Sequence, residues 1–333
     1  LAQLAPVFEL GPPKSWETDL AREQIDSKER AKRAFYRAVA VTRALMSGAR
    51  VGHDLDLRRA KRVVQTMVDM ILEEEFSLIG LTTIRQYDSY TFFHCVNVCV
   101  LSIALGKRLG LERQQLSELG VAALFHDIGK TEIPTEVLRK PGKFTPEEWA
   151  VMKMHPALGV RVLLRLKGLS DLAVKAIVVA FEHHLGLEGR GYPALLSPRD
   201  LHLFSRIVAI TDAFDAMTTR RVYVAAPFGR DQALAELLRF AGRSFDGTIL
   251  KEFINLIGVY PVGSLVRLTD GRVGVVMATA PEPGDPTRPR VRLVRDENGE
   301  AVVGPDLDLT HDPGAPAIVE VLDPEKAGID PSP

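Results

Sequence analysis

Cysteine is nearly missing. Cys95 and Cys99 are the two among 333 residues, and they stand one helical turn apart in an apolar stretch, a spacing that does not easily meet disulfide geometry. A disulfide-stapled secreted fold and a thiolate zinc site both need more cysteines than this, so the pair reads as core thiols of a reducing, cytoplasmic protein. Long apolar runs are missing as well. No stretch approaches the ~18 apolar residues of a membrane span, and no charged start followed by an apolar run marks a secretory signal. The first residue is Leu1, so a trimmed start is expected. An excess of one charge is also missing: 42 basic and 43 acidic residues leave a net charge of -1. That balance supplies no field for wrapping duplex nucleic acid or coating an anionic membrane.

What is present is the composition of a soluble globular protein, 46% hydrophobic and 26% charged, in a chain long enough to need more than one unit. Residues 1 to about 15 carry Pro6, Pro12 and Pro13 and read as a tail. From Trp16 to Gly80 the pattern is helical, with a two-faced stretch from Leu57 to Phe76. These helices are expected either to form a regulatory or dimerising lead-in, with a homodimer built through them, or simply to cap the adjoining helical domain. Between Tyr87 and Gly258 nearly every segment has helical periodicity, and nothing alternates as a sheet would. Thr145-Pro146-Glu147-Glu148 announces a helix start, and Ser197-Pro198-Arg199-Asp200 resembles it. After Tyr260-Pro261 short β-rich runs appear, Leu265 to Thr269 and Val273 to Met277, joined by the hairpin dipeptide Asp270-Gly271. The expected organisation is therefore mainly α: a tail and lead-in over 1–84, an all-helical domain over 85–260, and a small β-rich accessory module over 261–333. The acidic end of that module, Asp306 to Asp312, reads as solvated surface.

The chemistry gathers in the helical domain. Five of the eight histidines, His94, His126, His155, His183 and His184, lie in segments that also carry Asp127 and Asp212. Helical spacing extends the apolar stripe of Leu116, Leu119, Gly120, Ala123 and Leu124 to Asp127. It also extends Phe204, Ile207, Val208 and Thr211 to Asp212 and Asp215, and Ile177, Ala180 and Phe181 to His184. Taken singly, each histidine is more simply a core or surface residue, as His53, His202 and His311 are read. Together, inward carboxylates that would each cost several kcal/mol to bury unpaired are best explained by shared cations. Imidazole and carboxylate donors without thiolate suit iron, manganese, nickel, cobalt or zinc. Seven ligands exceed one tetrahedral ion, so two divalent ions sharing a carboxylate and a bridging hydroxide are expected. Such a pair suits in-line hydrolysis of a phosphoester, with Lys130 adding a cation for a phosphate oxygen or the leaving group.

The ordered set His126-Asp127-Ile128-Gly129-Lys130, His155, His183-His184, Gly189-Arg190-Gly191-Tyr192-Pro193 and Thr211-Asp212-Ala213-Phe214-Asp215 resembles the HD-GYP branch of the bacterial HD phosphohydrolase superfamily over about residues 87 to 258. The resemblance implies an all-α domain whose metals are often iron or manganese, and cyclic di-GMP cleaved to pGpG or GMP. It implies His94, His126, Asp127, His155, His183, His184 and Asp212 as ligands, with Asp127 bridging and with Asp127 and Lys130 at the chemistry. In the loop, glycines let backbone approach a ligand and Tyr192 offers a flat face for a guanine. Arg190, Gly191, Tyr192, Pro193 and Arg221 are the expected substrate contacts, and the loop is a candidate docking point for a partner protein. Three positions depart from the family pattern. Tyr90 stands where members with a third metal have Glu, Leu185 where Glu usually follows the paired histidines, and Arg221-Val222-Tyr223-Val224 where the family has an Arg-Pro-Tyr-Arg-like segment. These departures leave open a catalytically weak or inactive cyclic di-GMP receptor, and the superfamily's range leaves open another cyclic dinucleotide.

Overall fold

The computed structural model describes residues 16–53, 56–73, 75–82, 90–165, 170–195, 197, 199–219, 228–258, 260, 263–278, 285, 287–302, 304–310, 314–322 and 327–329, with side chains from residue 29 onward except those of 75–77, 90 and 231. The expected N-terminal tail, Arg221 to Val224 and His311 lie outside the described residues.

Helices α1 (Trp16–Arg50), α2 (Leu57–Glu73) and α3 (Glu75–Leu81) precede α4 (Tyr90–Arg108) and α5 (Arg113–Leu124). The stripe of α2, Val64, Met67 and Ile71, is fully buried and belongs to the same core as Phe35 of α1, Val96 and Ile103 of α4, and Leu116 and Leu119 of α5. Each such side chain contributes about 1.5–3 kcal/mol by leaving water. The seam is tight at Gly120, where a Cβ would come within 2.6 Å of Val64 Cγ1. Among the described residues these helices pack into the body of the domain.

Past α5 the chain runs through a 3-10 helix (Ile128–Glu132), α6 (Thr135–Leu138), α7 (Pro146–Met152), α8 (His155–Leu163), α9 (Asp171–Glu182), α10 (Leu203–Thr218), α11 (Arg230–Arg239) and α12 (Gly247–Ile257). At α7 the Thr145 hydroxyl accepts from Glu148 N, and the Glu148 carboxylate accepts from Thr145 N, with Pro146 at the first helical position. This is the start the sequence announced. Ser197-Pro198-Arg199-Asp200 behaves differently: α10 begins at Leu203 with His202 as its cap. The buried Glu182 carboxylate takes both the Arg199 guanidinium and the His202 N–H.

Asp127 reaches the interior through a turn and not through helical phase. Helix α5 stops at Leu124, and Phe125 to Asp127 form a turn into the 3-10 helix, so Asp127 does not sit one step along the α5 stripe. Gly129 then allows the 3-10 helix to press on α8, since a Cβ there would fall 1.9 Å from His155 O.

The C-terminal strands β1 (Leu265–Leu268), β2 (Val273–Ala278), β3 (Arg290–Arg295), β4 (Asp306–Asp308) and β5 (Ile318–Leu322) form an antiparallel sheet ordered β4-β3-β2-β1-β5. The Asp270-Gly271 turn joins β1 to β2 with Gly271 at φ 87°, the positive φ that this dipeptide favours. Val266, Val276 and Val291 form the core of one face, and Leu265, Val273 and Val275 that of the other.

Candidate metal centre

Five elements converge on one buried point. Helix α4 carries His94, the turn after α5 carries His126 and Asp127, α8 opens on His155, α9 ends at His183 and His184, and α10 carries Asp212. All are buried except His184, whose side chain is a quarter exposed. Their ligand atoms form two groups, Asp127 with His155, His183 and His184, and His94 with His126 and Asp212, each lying within 4.8 Å of one another.

The backbone orients the rings. Nδ1 of His126 donates to Ala123 O (2.7 Å), that of His155 to Met152 O (2.9 Å), and that of His183 to Ala180 O (3.0 Å). His94 donates from Nδ1 to Asp215 Oδ2 at 2.6 Å. A proton held on Nδ1 leaves Nε2 as a bare lone pair, and in all four rings Nε2 faces the centre.

That geometry fits metal better than it fits the side chains alone. His155 Nε2 and His183 Nε2 lie 3.2 Å apart, two lone pairs that repel unless a cation lies between them. A bond of ~2.1 Å puts neighbouring ligand atoms about 3.0–3.4 Å apart, and His94 Nε2 to Asp212 Oδ1 (3.1 Å) and His155 Nε2 to Asp127 Oδ1 (3.3 Å) match it. Buried His126 Nε2 and Asp127 Oδ1 have no hydrogen-bond partner among the described residues, a cost that a cation would remove. Asp127 straddles the two groups. Its Oδ1 faces His155 and its Oδ2 faces His126 (3.4 Å) and His94 (3.5 Å), and the part-buried Lys130 ammonium lies 2.5 Å from Oδ2.

The protonation states suit ligands. Burial alone would raise the Asp127 carboxyl, but Lys130 and the His126 ring outweigh it and hold it well below the usual range. Asp212 is likewise held low against its burial, by His94 and His126. Burial depresses His155 to about 3 and His184 to about 4, and pushes His183 well down, against the opposing pull of Asp127. At neutral pH Asp127 and Asp212 thus present ionised carboxylates, and His155, His183 and His184 present neutral imidazoles.

The Gly-Tyr-Pro loop folds back on the paired histidines. Leu185 bridges Gly191, Gly186 N donates to Arg190 O (2.7 Å), and Tyr192 N donates to His184 O (3.3 Å). Gly191 adopts φ 121°, and a Cβ there would lie 2.1 Å from His184 O, so only glycine fits. The Tyr192 ring packs on His184 at 4.5 Å between centroids, and Pro193 follows it through a cis peptide. Leu185 is buried. The Arg190 side chain is 82% exposed and pairs with Glu188 at 3.9 Å. His202 caps α10 by accepting from Phe204 N.

Asn97 and Glu182 carry no role in the sequence reading, and Asp215 enters it only as an inward member of the α10 stripe. Asp215 holds His94 and itself accepts from Asn97 Nδ2 at 2.8 Å. Each stands three residues after a candidate ligand on the same helix, Asn97 after His94 and Asp215 after Asp212, and that spacing was the available signal. Glu182 is fully buried immediately before His183 and ties the end of α9 to the start of α10.

Known proteins resemble the chain in sequence and in fold. The HD domain family model matches residues 65–249, and the model of a KOW domain associated with HD domain matches residues 265–328. The cyclic di-GMP phosphodiesterase PA4108 of Pseudomonas aeruginosa is 36% identical over 241 residues, covering 72% of this chain and 57% of that protein. The 3'3'-cGAMP-specific phosphodiesterase 2 of Vibrio cholerae is 35% identical over 158 residues, covering 47% of this chain and 30% of that protein. Among solved structures, the HDG"Y"P protein Bd1817 of Bdellovibrio bacteriovorus aligns with TM-score 0.58 at 19% identity, covering 69% of this chain and 72% of that one, a likeness of fold. The chain spans about half the length or less of the curated relatives it matches.

Proposed function

The chain belongs to the HD domain family, and from that premise we propose that it is a metal-dependent phosphodiesterase that hydrolyses cyclic di-GMP to pGpG or GMP. The observation that carries the proposal is Asp127, a buried carboxylate with one oxygen toward each of two histidine-containing ligand groups. Several curated relatives are named for cyclic di-GMP hydrolysis.

On this reading His94, His126 and Asp212 would hold one ion and His155, His183 and His184 a second, with Asp127 offering one carboxylate oxygen to each group. The donor set of imidazole and carboxylate admits iron, manganese, nickel, cobalt or zinc, and the family likeness favours iron or manganese among them. Two such ions supply an activated water and neutralise charge at phosphorus. The protein's part is positional and electrostatic. Met152 O, Ala123 O and Ala180 O fix the ring tautomers, and the Lys130 ammonium beside Asp127 meets charge that develops on a phosphate oxygen. The enclosed setting keeps these interactions strong. The free, buried thiols of Cys95 and Cys99 support a place of action in the reducing cytoplasm. Among the described residues no helix is long and apolar enough to cross a membrane.

The test is turnover. Anaerobically purified protein loaded with iron or manganese is expected to convert cyclic di-GMP to pGpG or GMP, and Asp127→Ala to lose this with its helical circular dichroism intact. Tight binding without product under any divalent metal would replace the enzyme with a receptor. A second substrate is favoured by the relative named for 3'3'-cGAMP, and a panel of cyclic dinucleotides ranked by kcat/KM decides between them.

A further inference from the structure

The aromatic side chains beside the centre are arranged asymmetrically. Tyr192, the ring expected to receive a guanine, turns a face toward His184 at an interplanar angle of 37° and is edge-to-face with His155 at 6.0 Å. It therefore serves as a wall of the histidine cluster. Its outer neighbour is Trp149 of α7, 5.9 Å away at 80°. The indole rests on Phe144, near parallel at 18° and 6.2 Å between centroids, and keeps 42% of its surface exposed. Beneath it, Phe144 packs with Met152, Val137 and Ile133 in a small cluster separate from the main core. The Thr145–Glu148 capping box fixes the helix that bears the indole.

A large apolar ring left partly in water forgoes part of the free energy that burial would contribute. This one is held rigidly, one ring beyond the wall of the site. A nucleotide joined to the centre through its phosphate carries its base one ribose away, and every base offers a π-face to an aromatic platform. We infer that Trp149 is the stacking platform for a purine base of the cyclic dinucleotide, with Phe144 backing the indole and Tyr192 separating it from the metal ligands. The inference rests on the proposed phosphodiesterase and assigns a specificity-determining residue outside the Gly-Tyr-Pro loop.

The chain has two tryptophans, Trp16 and Trp149, so Trp16→Phe leaves Trp149 as the sole indole reporter. Titrating metal-loaded Trp16→Phe protein with a hydrolysis-resistant phosphorothioate of cyclic di-GMP is expected to quench its emission, whereas an abasic phosphodiester of the same backbone leaves it unchanged. In turnover assays Trp149→Ala is expected to raise KM about tenfold, equal to about 1.4 kcal/mol and within the range for one stacked base. In the same assays kcat moves less than threefold, and Trp149→Phe recovers most of the loss. Unchanged emission and unchanged KM in a protein that still turns over cyclic di-GMP overturn the platform and leave the phosphodiesterase standing. A Trp149→Ala protein that loses bound metal overturns it too, because the indole then acts by propping Tyr192 against His184. Absence of both binding and turnover of every purine dinucleotide removes the phosphodiesterase and the platform together.

Discussion

His155 and His183 bring their Nε2 atoms to 3.2 Å with both Nδ1 protons already committed to backbone carbonyls. The folded chain thus holds two lone pairs face to face. Removing metal is therefore expected to destabilise the fold as well as silence it. A ligand at a hundred times its Kd contributes about 2.7 kcal/mol, so chelator treatment is expected to lower Tm by at least about 5 °C, given about 2–4 °C per kcal/mol for a domain of this size. Scanning calorimetry before and after chelation, with metal content measured alongside, checks this; an unchanged Tm would count against a metal centre.

Acid is expected to act through the same rings. His155 at about 3 and His184 at about 4 lie below the ordinary value of 6.5, so between about pH 6.5 and 4 the unfolded chain binds protons that the folded chain refuses. Stability therefore falls as pH drops through that window and is fully present above it. At pH 4.5 the loss should be about 3 kcal/mol per ring in the metal-free protein. Urea unfolding at pH 7 and 4.5, repeated on His155→Gln, tests it: the variant should lose less than the parent over the same interval.

Much of the centre was legible because α10 obeys its period. Phe204, Ile207, Val208 and Thr211 are all buried and carry Asp212 and Asp215 inward with them. Asp127 was assigned inward by the same rule for the wrong reason, since α5 ends at Leu124 and a turn, not helical phase, aims the carboxylate. Glu182 was illegible: a carboxylate one residue before two histidines gives no sign that its partners, Arg199 and the His202 N–H, come from the far end of a loop. The amphipathic stripe of α2 predicted a buried face, but only the close fit at Gly120 identifies what it meets.

Asp215 tests whether the residues behind the ligands matter. It holds His94 at 2.6 Å and is itself oriented by Asn97. Loss of such a partner typically weakens metal affinity 10–100-fold. Asp215→Ala is expected to fall in that range by competition with a chromophoric chelator, and Asp215→Asn to lie between it and the parent. Equal affinity in all three proteins would reduce Asp215 to a packing residue.

Gly129→Ala tests the approach of the 3-10 helix to α8. The added methyl would meet His155 O at 1.9 Å and Gly159 N at 2.4 Å, both backbone atoms, so neither can rotate away. The expected cost is about 1–3 kcal/mol of strain, together with weaker metal binding because His155 must shift. Gly142→Ala is a poor control, since Gly142 sits at φ 90°. Gly80, where a Cβ meets nothing within 4 Å, is a better one, and Gly80→Ala should leave affinity unchanged.

Glu182 and Arg199 form a pair whose halves are unequal: the carboxylate is fully buried and the guanidinium is 49% exposed. The two truncations should therefore differ. Arg199→Ala strands a buried charge that keeps only the His202 N–H. Breaking a fully buried pair costs about 3–5 kcal/mol, and the half-exposed arginine reduces that to about 2. Glu182→Gln removes the charge itself, keeps an acceptor for His202, and frees a guanidinium that water can solvate, so about 1 kcal/mol is expected. Chemical denaturation of both single variants and the double variant separates the terms. The ordering Arg199→Ala worse than Glu182→Gln, with the double variant no worse than Arg199→Ala alone, is the signature of a buried carboxylate waiting for its partner. Equal losses below about 0.5 kcal/mol would mean the pair behaves as an ordinary surface contact, and the link between α9 and α10 would then rest on the helices' apolar packing alone.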